Sequence, residues 1–227
     1  MSFSSLPALW AGLCLLILAA PLQGANTLQL SPVEAQVIEE LNYVRTEPAR
    51  YAREVLIPMR AYYQGLDIVD PPWFSPVPNR IQVVVTKEGR PALEEAIQAL
   101  LAAQPAGPLQ PSYGLTLSAR SHREAQARER SIGHIGSNGS TPEERIRAQG
   151  EWNIAVGENL FYGDAQRMVA RHAVMSLLID DGVADRGHRN VILDHRYRWV
   201  GVAYGPHPLY GHMLVQNFAA EFRDHAP

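Results

Sequence analysis

The sequence predicts an α+β fold in which helices cover a small antiparallel sheet. Three observations carry that prediction. Helical patterns with their own start signals fill most of the first two-thirds of the chain. The last third changes period, to the β-rich runs Trp199-Val200-Gly201-Val202-Ala203-Tyr204 and Met213-Leu214-Val215-Gln216-Asn217-Phe218. The connector from Gly205 to Gly211 would join those runs as an antiparallel hairpin. Helices followed by paired strands point to a sheet with helices packed on it. With 227 residues the chain fits one domain, or one domain with an insertion, and can bury a real core.

The N-terminus is read as a signal peptide over residues 1–24. Leu6 to Leu22 are nearly all apolar, the first charged residue is Glu34, and Gly24 and Ala25 offer a cleavage point. The segment has no Lys or Arg, so an uncleaved signal anchor is the alternative; with cleavage, the mature chain has no membrane span. A lipoprotein is disfavoured because Leu13, a bulky residue, precedes Cys14. Cys14 is the one cysteine, so the exported chain would carry no disulfide, thiolate ligand or cysteine nucleophile. A net charge of −3 and a pI near 6.2 argue against a nucleic-acid partner, which needs a basic face.

Ser31-Pro32-Val33-Glu34 forms a capping box with proline at the first helical position. Val33, Val37, Ile38, Leu41 and Val44 follow at helical spacing, until Pro48 breaks the helix and Ala49 to Leu56 resume it. Pro58 to Pro78, rich in proline and aromatic residues, is read as loop, and Ile81 to Val85 as a short strand. Thr86 opens a second helix with Ala92, Ala96, Ile97 and Leu100 on one side. After the proline-containing connection from Pro105, Leu115 to Arg130 reads as a helix with a charged outer face. It stops at Gly133-His134-Ile135-Gly136. Thr141-Pro142-Glu143-Glu144 is a second capping box. Asp164 can cap a further helix with Met168, Met175, Leu178 and Ile179 as its apolar stripe.

One grouping looks like a site. His134 sits between glycines, which lets the backbone present the ring freely. Glu158 follows Gly157, and His188 follows Gly187 after a helix that ends in Asp180-Asp181. None lies in a local metal motif, so a shared site must be assembled by the fold. Two imidazoles with carboxylates suit zinc or a similar divalent metal, in a sphere left open to water. Spacing alone favours the plainer reading, in which each histidine only makes hydrogen bonds. Arg189 is expected to pair with Asp180, Asp181 or Asp185. His172 reads as a semi-buried helix residue and His122 as a surface or supporting group. His207 and His212 are placed near a cleft rim, and His195 and His225 in solvent. Ser137 and Ser140 lie near His134 but in no nucleophile elbow.

Taken together, Gly-His-Ile-Gly around His134, Ser140 to Ile146, Gly157-Glu158-Asn159, Gly187-His188-Arg189-Asn190-Val191-Ile192-Leu193 and Val200-Gly201-Val202-Ala203 resemble the CAP superfamily. That group includes cysteine-rich secretory, antigen 5 and pathogenesis-related class 1 proteins; the form here is similar to its cysteine-free bacterial branch. The resemblance covers a single domain over residues 32–222, with a family-atypical region around 58–112. It implies an α-β-α sandwich, and a cleft tetrad of His134, His188, Glu158 and an acid at Asp180 or Asp181 that holds a divalent metal, often zinc. Asn159 and Arg189 would border that cleft. Many members carry Glu where this chain has Asp, which is one methylene shorter. The implied function is binding of an extracellular lipid, glycan or protein, without established catalysis. The alternatives are a metal-dependent hydrolase of an envelope polymer and a partner-binding domain without metal.

Overall fold

The computed structural model describes residues 28–164, 167 and 169–225. The expected signal peptide and Met168 lie outside these residues. Helix α1 (Pro32–Thr46) begins on the capping box, with Ser31 and Glu34 bonding reciprocally. After Pro48 come α2 (Pro48–Tyr51), a π-turn (Ala52–Leu56), α3 (Ile57–Met59) and a 3-10 turn (Arg60–Tyr62). The short strands β1 (Tyr63–Gln64), β2 (Asp67–Val69) and β3 (Val83–Val85) form a small antiparallel sheet. Then follow α4 (Arg90–Ala102), β4 (Gln110–Pro111), α5 (Tyr113–Glu129), α6 (Pro142–Arg147) and β5 (Gly150–Tyr162). The chain ends with α7 (Val169–Ile179), α8 (Gly187–Leu193), β6 (Trp199–His207) and β7 (Gly211–Asp224).

Two expectations are corrected in the first half. Pro58 to Pro78 is not plain loop: the chain stays helical to Tyr62 and then adds β1 and β2. The π-turn widens the helix just ahead of Pro58, whose ring would crowd an ordinary α-turn. The second helix starts at Arg90, not Thr86. Thr86 is held back because its N–H and hydroxyl both donate to Leu66 O, at 2.9 and 2.6 Å. Gly89, at φ 69°, then turns the chain into α4.

The main sheet has the order β4-β6-β7-β5. The expected hairpin is β6–β7, antiparallel from Trp199↔Ala219 to His207↔Gly211. Strand β5 pairs antiparallel with β7 and forms the sheet's edge, while β4 pairs in parallel with β6 at the opposite edge.

Because side chains alternate along a strand, the sheet serves two cores. Val200, Val202, Leu214 and Phe218 join the core built by α1, α4 and α7. Ala203, Met213, Val215 and Ala219 pack toward α5 with Leu115, Ala119 and Ile146. The result is a helix–sheet–helix sandwich. Gly201 lets α5 come close: a Cβ there would collide with the backbone of Leu115 and Thr116. Among the described residues no helix is long and apolar enough to cross a membrane.

One buried charge ties the layers together. Arg45, fully buried near the end of α1, donates to the carbonyls of Gly107 (3.1 Å), Ile192 (2.7 Å), Asp194 (2.9 Å) and Tyr197 (2.9 Å). Burial pushes its guanidinium down to about 10, so it stays charged at neutral pH. Three of those carbonyls lie around the end of α8 and before β6, and Gly107 O in the connection before β4, where no regular ladder satisfies them.

Candidate functional site

The site forms along the free edge of β5. A bulge between Asn153 and Val156 re-aims this strand before Gly157. Gly157 itself admits a close neighbour, since a Cβ there would sit 2.8 Å from the Tyr197 hydroxyl. The next two residues, Glu158 and Asn159, point to opposite faces and hold one histidine segment each.

On the α5 face, His134 Nδ1 meets Glu158 Oε1 at 3.0 Å. The ring is 45% exposed, whereas the carboxylate is 1% exposed. The turn carrying His134 is pinned at Gly133, whose φ is 98°. Gly133 N donates to the Tyr162 hydroxyl (2.9 Å), and Gly133 O accepts from His122 Nε2 (3.0 Å) and from Gln126 Nε2. His122 is buried beside Glu158, with the two at 3.9 Å, and desolvation lowers its pKa. It supports the site from behind and is not a surface residue.

Arg145 closes this half. Its Nη2 donates to both Glu158 oxygens (3.0 and 2.9 Å) and to His134 O (2.9 Å), and its Nη1 donates to Ser140 O (2.8 Å). Asn217, with its amide nitrogen turned to Glu158, donates to Oε2 at 3.1 Å and accepts from Ala119 N–H. Glu158 therefore orients His134 while its charge is met by Arg145.

On the other face, α7 ends at Asp180, which adopts a left-handed φ of 57°. Its Oδ1 meets His188 Nδ1 at 2.6 Å, and its Oδ2 accepts from His188 N–H at 3.0 Å. His188 thus lies inside α8, as its second residue. Asn159 Nδ2 donates to His188 O at 3.1 Å and links this pair to β5. Asn159 Oδ1 is buried without a partner among the described residues.

The neighbouring acid does something else. Asp181 accepts from Lys87 N–H (2.7 Å) and Glu88 N–H (2.8 Å), so it faces the 58–112 region instead of the histidines. Consecutive carboxylates separate because Asp180 is left-handed. Arg189 pairs with none of the expected aspartates: it donates to Leu178 O (2.6 Å), Ile179 O (3.1 Å) and Glu95 (2.9 Å). There it satisfies carbonyls left open at the end of α7.

Arg186, at φ 52°, braces the same loop by donating to Asp180 O, Val183 O, Glu88 and Glu95. Its hydrogen bonds hold the Glu88 and Glu95 carboxyls down at about 2. The 58–112 region thereby clamps the loop that delivers Asp180 and His188.

The remaining histidines are structural or peripheral. His207 is buried and bonded to Ser131 O at 3.0 Å, not on a rim. His212 meets Asp164 at 3.2 Å at the hairpin; the segment in which Asp164 is expected to cap a helix lies partly outside the described residues.

Over residues 38–218 the sequence matches CAP, the cysteine-rich secretory protein family. The chain belongs to the CAP family. No curated protein matches it. Among solved structures it is similar to an outer surface protein from Borrelia burgdorferi, with 18% identity and a TM-score of 0.39. That likeness covers 49% of this chain and 76% of that one. An extracellular protein containing a SCP domain from Bacillus anthracis is 16% identical, with a TM-score of 0.40 over 63% of this chain and 47% of that chain. This CAP chain spans about half the length of that protein. BmVAL-1 is 12% identical, with a TM-score of 0.41 over 85% of this chain and 79% of that one.

The donor set can be weighed against the metal that the CAP family implies. Both rings are anchored through Nδ1, and their Nε2 atoms make no hydrogen bond to the described residues. That is how carboxylate-supported histidines present themselves to a metal. Glu158 does not fit as a direct ligand, because Arg145 occupies both its oxygens. Among the described residues no three His, Cys, Asp or Glu side chains converge on one metal position. At most the two imidazoles, with solvent, are left as donors, a sparser set than the tetrad.

Sequence reasoning missed Arg145, Arg186, Glu88 and Glu95. Arg145 stood in the sequence only as a member of the Ser140 to Ile146 motif, with no role attached. No local spacing announces a partner 13 residues away on another element.

Proposed function

We propose that this CAP domain acts outside the cytoplasm as a binding module, with the β5 edge as its cleft. His134 and His188 would hold a divalent cation, zinc first among candidates, and the cleft would take an extracellular lipid, glycan or protein. One observation carries the reading. Two histidines flank one edge strand, each oriented by a buried carboxylate and each with Nε2 unbonded among the described residues.

In this arrangement Glu158 and Asp180 set the tautomers, Arg145 neutralises Glu158, and Asn159 fixes the backbone at His188. A bound cation would supply a positive centre for a polar or anionic ligand group. Nothing in the geometry requires turnover, so binding is preferred to hydrolysis.

Calorimetric zinc titration tests the proposal on the folded wild type and on His134→Ala, His188→Ala and Asp180→Asn. Each alanine variant is expected to lose at least about tenfold in affinity, and Asp180→Asn about 10–100-fold through loss of ring orientation. Unchanged affinity in both alanine variants would rule out metal binding at this cleft.

A further inference from the structure

A second site lies where the 58–112 region packs on α7, and it shares no residue with the two histidine pairs. Trp73 and His172 stack there, with ring centroids 4.2 Å apart and planes 17° apart, and Phe161 meets His172 edge-on. Two clefts border this stack. One, of about 150 Å³, is walled by Val55, Met59, Tyr62 and Met175; the other, of about 180 Å³, by Ile68, Val84, Met175 and Ile179. Both include Trp73 and His172 in their walls.

Two buried polar atoms of the stack itself are left over. Trp73, 3% exposed, buries its indole Nε1–H without a partner, and His172 buries Nδ1 likewise, among the described residues. Each orphan carries an uncompensated desolvation cost unless something bonds to it. Burial pushes the His172 imidazole down to about 4, so the ring is neutral at pH 7. A neutral imidazole offers one donor and one acceptor, and an indole only a donor.

We propose that the Trp73–His172 clefts bind a small neutral ligand with an apolar body and one hydroxyl. The body fills a cleft of the size that accommodates a single aromatic ring. The hydroxyl oxygen accepts from Trp73 Nε1–H, and the hydroxyl hydrogen is donated to the imidazole. A carboxylate ligand is disfavoured: the ring has no charge to meet it, Glu54 borders the first cleft and Asp181 the second, and Arg171 at the first is already paired with Glu40. A plain hydrocarbon would leave both orphans unsatisfied.

Phenol and toluene separate these cases, since they match in shape and differ in the hydroxyl. Titration of 15N-labelled wild-type protein is expected to show saturable phenol binding that shifts the Trp73 indole N–H resonance. Toluene should bind about tenfold more weakly or worse, as expected for lost hydrogen bonds to buried groups. Trp73→Phe identifies the resonance by its disappearance, and it and His172→Phe should each bring phenol down to the level of toluene. Absence of saturation by phenol, equal binding of toluene, or a shift confined to another tryptophan would overturn the proposal. The wild-type comparison stands even if a variant fails to fold.

Discussion

Arg145 places a single nitrogen, Nη2, within 3.0 and 2.9 Å of the two carboxylate oxygens of Glu158. Both side chains are at least nine-tenths buried, at 10% and 1% exposed. The contact joins α6 to the edge strand and, through His134 O, sets the height of the His134 turn. It makes Glu158 a support for the histidine more than a ligand in its own right.

Removing Arg145 should therefore strand a buried carboxylate. Arg145→Met is expected to destabilise the protein by about 3–5 kcal/mol in urea unfolding. Adding Glu158→Gln should restore much of that loss, because the stranded charge is gone. Simple additivity of the two changes would show that the pair is not coupled.

Arg45 should be as demanding, for a different reason. Its guanidinium serves four carbonyls, three from the end of α8 and the approach to β6 and one, Gly107 O, from the connection before β4. Arg45→Met leaves these acceptors unmet in a dry interior, at about 1–3 kcal/mol each before relaxation. A net loss of about 3 kcal/mol would lower Tm by roughly 6–12 °C in a chain of this size. Arg45→Lys should recover little, since an ammonium cannot span the same fork. Full stability in Arg45→Lys would contradict the geometry.

His172 predicts an acid limb in the stability profile. Its pKa falls from 6.5 to about 4 on folding, through desolvation alone. Between those values the unfolded chain binds the proton that the folded chain refuses, so stability rises with pH. The contribution is complete above about pH 6.5 and is lost as pH drops toward 4. It amounts to about 3 kcal/mol at most. Desolvation of His122 acts in the same direction. Denaturant midpoints from pH 7 to 4 should fall less steeply in His172→Phe than in wild type; identical slopes would assign the acid limb to other groups.

Much of the fold was legible because it is written in short-range chemistry. Ser31 with Glu34 and Thr141 with Glu144 each satisfy backbone groups three residues away, and both boxes formed. The β6–β7 hairpin followed from two β-rich runs with a short connector between them. The candidate residues His134, Glu158, Asp180 and His188 could be named for the same reason: glycine-bracketed or helix-terminal positions stand out locally. Thr86 misled because a helix-start pattern there lost to a pair of hydrogen bonds with Leu66, 20 residues away.

By itself, the sequence determined which segments are helix and strand across most of the chain, the order of the family motifs, and the absence of a cysteine beyond position 14. Tertiary structure alone decided who meets whom. It turned Asp180 to His188 and Asp181 to the 58–112 region, brought Glu95 to Arg189, and set Arg145 on Glu158. Capping and hairpin bonds reach only a few residues and leave a local mark. Partners of buried charges are selected by packing across 13 to more than 90 residues, where no spacing records them.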